Sequence, residues 1–572
     1  MRVQIRKLLF ALLLFTSLLF SQNNYDKEYI TLIPGEQYKA GWFHELILGE
    51  HWRDAWTTPL SVEILDLEKF GGGLTPLKRG GGMQTKSLRL VGKDGNIWKF
   101  RSMSKDPSKI LPRILRETVV ADIFQDQISS AYPLAALVAA PILASVGILQ
   151  AEPYLVYMPD DEKLGEFRED FGGELGMMEI HPDVDEDEGR EFEGADKIKS
   201  TFKLFDRLAE QRDERVSKTG YLKARLVDIF LGDWDRHTDQ WKWARYDKGK
   251  MEYWEPIPRD RDQVFAKWDG IGPRVAAYLV PQFVHFDYDY PQVEDMTWSG
   301  RFIDRRFLTE LTVAEWDSVT VFVIEKLTDE VIEDAVKHLP KEQYDIVAEE
   351  IITKLKSRRD QLSELSKEYY DLINTVVDIY ATNKDDVVEI DRISDSKTEV
   401  KVYDLKKSGA KEILYYKVFD NNITEDIRIH LLEGDDRAVV NGEVDYSPLI
   451  RIIGGGEKDT LIDNSIVNGY LLDITPIPKA ENKTEFYDSG KKTEVVYGAG
   501  TYYNDEKIKK PKDYFEKYEP VLRDRGSDWL PSPILGLNSN DGFVIGLGAQ
   551  LYSYNFRIDP YESWINGTLD YA

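Results

Sequence analysis

Residues 226–265, LVDIFLGDWDRHTDQWKWARYDKGKMEYWEPIPRDRDQVF, decide how the rest of the chain is read. The apolar start ends at Gly232, a helix stop. A polar loop follows, Asp233-Trp234-Asp235-Arg236-His237-Thr238-Asp239-Gln240. Two aromatic-rich runs, 241–246 and 251–257, flank Asp247-Lys248-Gly249-Lys250, so the spacing predicts a β-hairpin with a tight turn. Antiparallel pairing then returns Asp260 and Asp262 to the side of Asp235 and Gln240. That grouping sets a general base, Asp235, beside oxygen donors, Gln240 with Asp260 or Asp262. Such donors suit a hard cation, Mg²⁺ or Mn²⁺.

The order Asp-x-x-x-x-Gln, hairpin, Asp follows the logic of kinase catalytic loops. There one Asp orients the acceptor hydroxyl, and an amide and a later Asp hold the phosphate-bridging metal. Gly232-Asp233-Trp234-Asp235-Arg236-His237 with Gln240 resembles the G-N-x-D-R-H loop of atypical secreted kinases of the Golgi casein-kinase type, and phosphoinositide-kinase and HipA-like loops. Residues 257–265 are similar to the D-x-D-x-x-F segment of CotH spore-coat kinases. Two departures stand: Gln240 replaces Asn, and no Asp-Phe-Gly follows, which leaves Asp260 and Asp262 both open as the metal ligand. The competing reading is a structural charge cluster in which Arg236, Arg259 and Arg261 pair the aspartates.

Upstream, Gly80-Gly81-Gly82 precedes the strand 86–91, the turn Lys93-Asp94-Gly95-Asn96 and the strand 97–101. Glycines let backbone N–H groups approach phosphate, so Gly81 and Gly82 are candidate phosphate-covering residues. Lys99 and Arg101 share one strand face, and either is a candidate for the nucleotide-binding cation. Glu117, in a helical pattern over 109–129, is the candidate partner of that cation. Residues 131–149 carry no charge, but Pro133 and Pro141 make them a buried helix-turn rather than a membrane span. They lead to the strand 154–158 and the expected interlobe hinge Pro159-Asp160-Asp161. A second strand, 176–181, lines the same cleft, and His181 is read as a strand-end residue. Helices are expected at 197–209, 220–231 and through 312–372.

The N-terminus reads as a signal peptide over 1–22: Arg2, Arg6 and Lys7, then the apolar run 8–20. With 102 acidic against 74 basic residues, the net charge of −28 excludes nucleic acid, whose phosphates need a basic face. Zero cysteines exclude disulfides, thiolate metal sites and a lipidated-Cys anchor.

Beyond residue 374 short strands take over. The segment 427–441 aligns with 450–464 at an offset of 23 residues, each copy strand, Gly/Asp turn, strand. The second copy, 454–463, is similar to a calcium-binding β-roll repeat with Glu457 in a glycine place, and gives a secondary Ca²⁺ expectation. A linker is expected over 481–530. Apolar residues then alternate with small and polar ones through 543–552, the pattern of a transmembrane β-strand. Residues 540–572 resemble the entry to a BamA/TamA-type (bacterial surface antigen) outer-membrane barrel. Two strands cannot close a barrel, because the membrane tolerates no open edge.

The expected architecture is a multidomain α+β chain. A two-lobed kinase-like domain (23–185 and 186–375) precedes a β-rich module (376–480) and the first strands of an outer-membrane β-barrel (531–572). The resemblances imply an exported protein of the outer membrane, periplasm or cell surface. It carries a metal- and ATP-dependent phosphotransferase site, or a pseudokinase that recruits envelope protein clients, and it takes no nucleic acid. ATP is scarce outside the cytoplasm, which weakens the enzyme reading and makes the pseudokinase its rival.

Overall fold

A computed structural model describes residues 28–572, apart from 82–84, 108–118, 185–191, 248, 250, 278–279, 407–408, 471–476, 491, 508–509, 520–523, 533, 539–541, 559 and 572. The expected signal peptide, Gly82 and Glu117 lie outside the described residues. The architecture is α+β and falls into two units, up to Glu506 and from Lys507 onward.

The first unit opens with strands β1 (Tyr29–Leu32), β2 (Leu60–Ile64), β3 (Leu74–Gly80), β4 (Thr85–Gly92), β5 (Ile97–Lys105), β6 (Tyr154–Tyr157) and β7 (Leu175–Ile180). They form one sheet in the order β1-β2-β6-β7-β5-β4-β3. The core on this sheet is Leu88, Leu90, Phe100, Val156 and Met178 against Phe171 and Leu164. Gly80 ends β3 and Gly81 begins the turn toward β4. Gly81 sits at φ 111°, and a Cβ there would stand 2.1 Å from the Thr85 carbonyl oxygen, so only glycine makes this turn. The uncharged run 131–149 contains a buried helix, Ala135–Ser145, with Pro141 inside it, as expected. Among the described residues no single helix is long and apolar enough to cross a membrane, which says nothing of a β-barrel.

Next comes a small sheet, β8 (Lys197–Ser200), β9 (Glu214–Val216), β10 (Trp241–Asp247) and β11 (Glu252–Pro258), in the order β8-β10-β11-β9. The predicted hairpin is β10–β11, in register from Trp241↔Pro258 to Asp247↔Glu252. The helix expected over 197–209 begins only at Thr201. Residues 197–200 instead pair antiparallel with β10, because Lys242 to Arg245 offers them a free edge. The helix Lys218–Leu231 is buried on nearly every side. A 35-residue helix, Lys341–Thr375, packs along it. Its buried Arg358 donates to the terminal carbonyls of Ile229 (2.7 Å) and Phe230 (2.9 Å), capping the shorter helix with a cation.

From 376 the chain winds into a parallel two-sheet coil. The strands are β12 (Val376–Tyr380), β13 (Asp386–Ser394), β14 (Lys397–Leu405), β15 (Lys411–Asp420), β16 (Asp426–His430), β17 (Arg437–Asn441), β18 (Glu443–Val444), β19 (Leu449–Ile453), β20 (Thr460–Asp463), β21 (Ile466–Val467), β22 (Thr484–Tyr487), β23 (Glu494–Val496) and β24 (Thr501–Asn504). One sheet runs β12-β16-β19-β22-β24, the other β15-β14-β13-β17-β20-β23. The sequence repeat stacks in register, Arg428↔Arg451 and Ala438↔Leu461. Ile427, Ile429, Ile450 and Ile452 of one sheet meet Val388, Ile390, Val440 and Leu461 of the other. Strands β22 to β24 occupy the first half of the stretch expected as a linker from 481. Alternate burial of Thr484 and Phe486 makes them further turns of the coil.

The geometry lends no support to the Ca²⁺ expectation at 454–463. Asp459 accepts the backbone N–H groups of Asp436 (3.1 Å) and Gly455 (3.4 Å). Asp463 accepts from Ser465 N–H (2.9 Å) and the Thr501 hydroxyl (2.7 Å). These carboxylates serve neighbouring turns of the coil, and no metal-holding cluster of three His, Cys, Asp or Glu exists among the described residues.

The second unit holds β25 (Ser527–Pro531), β26 (Ile534–Asn538), β27 (Gly542–Ser553) and β28 (Ser563–Tyr571) in an antiparallel sheet. β25 and β26 take one edge of β27, β28 the other. The register puts Leu547 opposite Leu569, Leu551 opposite Ile565 and Trp529 opposite Leu551, all on one face. Leu547 is 77% and Leu569 81% exposed. The other face carries Gln550 opposite Asn566 and Tyr552 opposite Trp564. There Gln550 Oε1 accepts from the Tyr552 hydroxyl at 2.6 Å.

The coil also makes a pH prediction. Asp386 N–H donates to Asp436 Oδ1 at 2.7 Å, while buried Asp436 Oδ2 has no partner. Burial, with Asp459 and Asp386 close by, pushes the Asp436 carboxyl up to about 9. A carboxyl raised on folding contributes stability that is complete below its ordinary value and lost as pH climbs through the raised one. Asp436→Asn is a permanently neutral replacement. Its melting temperature relative to the parent chain should therefore climb steadily from pH 5 to pH 9; a pH-independent difference contradicts this.

Candidate active site

The buried helix Lys218–Leu231 ends in a left-handed Gly232 (φ 70°), and Asp233 N–H returns to the Asp228 carbonyl at 2.9 Å. This sharp stop throws the polar loop toward the mouth of the β10–β11 hairpin. The hairpin brings the second acidic loop back beside it. Arg259 N–H donates to the Gln240 carbonyl at 2.9 Å. The fully buried Arg236 guanidinium donates to the carbonyls of Arg259 and Asp260, the latter at 3.0 Å. Arg261 reaches back to Asp228 and to Asp233, the latter at 2.9 Å. The structural charge cluster weighed from sequence is thus real for Arg236 and Arg261. It binds Asp228, Asp233 and backbone, however, and leaves Asp235 to other partners.

Asp235 accepts from Gln240 Nε2 at 3.5 Å, which leaves the amide oxygen of Gln240 unspent. Burial raises the Asp235 carboxyl, and Asp262 and Asp260 add to this against the pull of His237. Asp260 takes a left-handed backbone, φ 58°. One of its oxygens is paired with Arg101, and the other, Oδ1, is buried without a hydrogen-bond partner. Burial would raise this carboxyl, but Arg101, Lys105 and Lys99 together hold it well below the usual range. Asp262 pairs with Lys105.

Four of the residues singled out from sequence, Asp235, Gln240, Asp260 and Asp262, therefore converge, and Arg101 joins them from β5. Lys99 stands two residues along the same strand. Of the two basic candidates Arg101 holds the aspartate, while Lys99 does not. Gly81 makes the β3–β4 turn. Lys105 was missed, although it continues the alternation of 99 and 101. A cavity of about 110 Å³ opens beside these groups. Met103, Tyr132, Leu143 and Ile257 give it an apolar wall, and Arg101, Asp260 and Asp262 line its polar side.

Among the described residues three carboxylates do not by themselves converge on a cation here. Mg²⁺ needs only one or two protein carboxylates when substrate phosphates and water supply the rest. The free Asp260 Oδ1 and the unspent Gln240 amide oxygen fit that requirement. Asp262, held by Lys105 and more open, fits it less well.

No protein-family model matches the chain, and no curated protein matches it. Among solved structures the chain is similar to the Helicobacter pylori proinflammatory kinase CtkA, at 12% identity and a TM-score of 0.29. That match covers 51% of this chain and 94% of that one. It is also similar to HipA of Shewanella oneidensis MR-1, from a toxin–antitoxin complex with HipB and operator DNA. Identity there is 13% and the TM-score 0.24, over 52% of this chain and 67% of that one. Likeness at these scores carries no argument, and the site is interpreted from its own geometry.

The tethers separate structural from ligand-facing charges. Arg261→Ala leaves buried Asp228 with Arg225 alone and buried Asp233 with Arg236 alone, and should cost about 3 kcal/mol of stability. Lys105→Ala, which frees a half-exposed Asp262, should cost about 1 kcal/mol or less. Denaturant unfolding followed by tryptophan fluorescence distinguishes them; equal losses would mean that the tether is not where the loop is held.

Proposed function

We propose that the first unit carries a kinase-like, metal- and nucleotide-dependent phosphotransferase site. The observation that carries this reading is the convergence of Asp235, Gln240 and Asp260 beneath a strand bearing Arg101 and Lys105. In it, Asp235 orients the acceptor hydroxyl and takes its proton, a role suited to a carboxyl raised by burial. Asp260 Oδ1 and the Gln240 amide oxygen hold Mg²⁺ or Mn²⁺. The cation supplies charge neutralisation at the phosphates of ATP. Arg101 and Lys105, now spent on Asp260 and Asp262, turn to those phosphates, so that binding exchanges one set of charge pairs for another.

The test is a thermal-shift titration of the whole chain with ATP, with and without Mn²⁺ or Mg²⁺. A metal-dependent rise in melting temperature should vanish in Asp260→Ala and persist in Asp235→Ala, which keeps binding and loses transfer. No nucleotide response with either metal would leave the first unit as a non-enzymatic binding module.

The second unit supports a companion reading: an exported chain whose last strands begin an outer-membrane β-barrel. The reading rests on an antiparallel sheet with an apolar exposed face and a hydrogen-bonded polar one, the two-faced pattern of membrane barrels. Under it the first unit stands in the periplasm or at the surface, and recruitment of envelope protein clients is the non-enzymatic alternative to phosphotransfer. The full chain should partition into detergent micelles, and Leu547→Asp with Leu569→Asp should abolish that. Equal partitioning of parent and variant would count against the membrane assignment.

A further inference from the structure

An unusual concentration of positive charge lies at the other end of β5. Arg89 of β4 and Lys99 of β5 are direct cross-strand partners, so two cations sit side by side on one face. Like charges so placed repel, and the fold brings up more of them. Lys242 of β10 reaches His181, at the end of β7, where its ammonium donates to Nε2 at 3.2 Å and to the Pro182 carbonyl at 2.8 Å. Arg259, anchored by its own N–H to Gln240, closes the ring.

Acids are near. Glu179 is the β7 partner of Lys99, and Asp183, Asp239 and Asp260 are within electrostatic reach. Asp260, however, is held by Arg101. Among the described residues Arg89, Lys99, Lys242 and Arg259 have no carboxylate at ion-pair distance. Lys99 is only 7% exposed. His181 is 6% exposed, and because its Nε2 accepts from Lys242 its proton sits on Nδ1, buried and without a partner. Burial and mutual repulsion push the Lys99 ammonium down to about 7 and that of Lys242 to about 8. A buried charge left unpaired is costly. In a chain of net charge −28, a gathering of cations without a carboxylate at ion-pair distance among the described residues is built for something that neutralises it.

The geometry points to an anion subsite at Arg89, Lys99, Lys242 and Arg259 that takes a short chain of linked phosphates. This inference rests on the proposed phosphotransfer site, of which it is the neighbouring compartment. A single carboxylate or sulfate carries too little charge for four cations. A long nucleic acid is repelled by the acidic remainder of the surface. Linked phosphates match both the charge and the preference of guanidinium and ammonium groups for phosphate oxygens. Two sources share that chemistry, a nucleoside triphosphate and inorganic tripolyphosphate.

Calorimetric titration of the full chain in EDTA, with tripolyphosphate, ATP and adenosine in separate arms, tests this. Tripolyphosphate should bind without metal, and Lys99→Met and Arg89→Gln should each weaken it about tenfold or more. ATP binding as tightly as tripolyphosphate would assign the subsite to the phosphates of a nucleotide. Weaker binding of ATP would assign it to inorganic chains. Without ligand, Lys99→Met should melt higher than the parent, because it relieves repulsion; a structural cation would melt lower when removed. Undiminished tripolyphosphate binding in both variants, binding by adenosine alone, or a lower melting temperature for Lys99→Met overturns the proposal. Asp260→Ala separates it from the phosphotransfer reading. That variant abolishes the metal-dependent nucleotide response, whereas binding in EDTA persists and is not weakened, because a nearby negative charge is removed.

Discussion

The site depends on the tether between two loops. The hairpin alone would bring the acidic loop only near Asp235. One backbone hydrogen bond, Arg259 N–H to the Gln240 carbonyl, fixes the spacing, and the buried Arg236 guanidinium locks it through two further carbonyls. Because Arg236 and Arg261 are committed to carbonyls and to Asp228 and Asp233, they form no ion pair with Asp235 or Asp260. Asp260 meets Arg101 of β5 instead, and Asp235 lies beside Gln240 and His237. The buried arginines thus sort the aspartates: Asp228 and Asp233 hold structure, and Asp260 lines the cleft.

The sorting reaches back into the helical core. Asp228 lies on the buried helix and also pairs with Arg225, which is clamped by Asp304 at 2.8 and 3.0 Å. Arg358, from the long helix, holds the carbonyls just before Gly232. A shift of any one of these would propagate into the position of Asp235, because each is a charge buried with a single set of partners. This gives a physical reason for so many ionised groups in a core that hydrophobic burial alone could fill.

Much of this was legible in the sequence where the signal is local. The hairpin follows from aromatic alternation around a glycine turn, and the helix stop from Gly232. The coil was legible only in part. Turns β16–β17 and β19–β20 stand 23 residues apart, as Asp436 and Asp459 do. The β14–β15 hairpin stretches the preceding spacing to 50 residues, between Asp386 and Asp436. Before β22 the spacing grows to 34, between Arg451 and Glu485. A repeat search keyed to one period cannot see those turns, and so β22 to β24 passed for a linker. Lys197 to Ser200 passed for helix because their pairing partner lies over 40 residues downstream in β10.

The basic cluster was legible only in part, and the reason is geometric. Residues 78–105 hold eight Lys or Arg and a single acid, Asp94, so the basic character around Arg89 and Lys99 is written in the sequence, whereas Lys242 and Arg259 lie far downstream among acids. Only the register Arg89↔Lys99 and the return of β10 against β7 gather them. The same topology lines β5 with cations that meet different surroundings: Arg101 and Lys105 find aspartates, and Lys99 finds none. One strand thus presents a neutralised stretch beside Asp235 and a bare one beyond it. A ligand that lay along β5 would meet free positive charge first at Lys99. It would reach the neutralised stretch only by displacing Asp260 from Arg101 and Asp262 from Lys105.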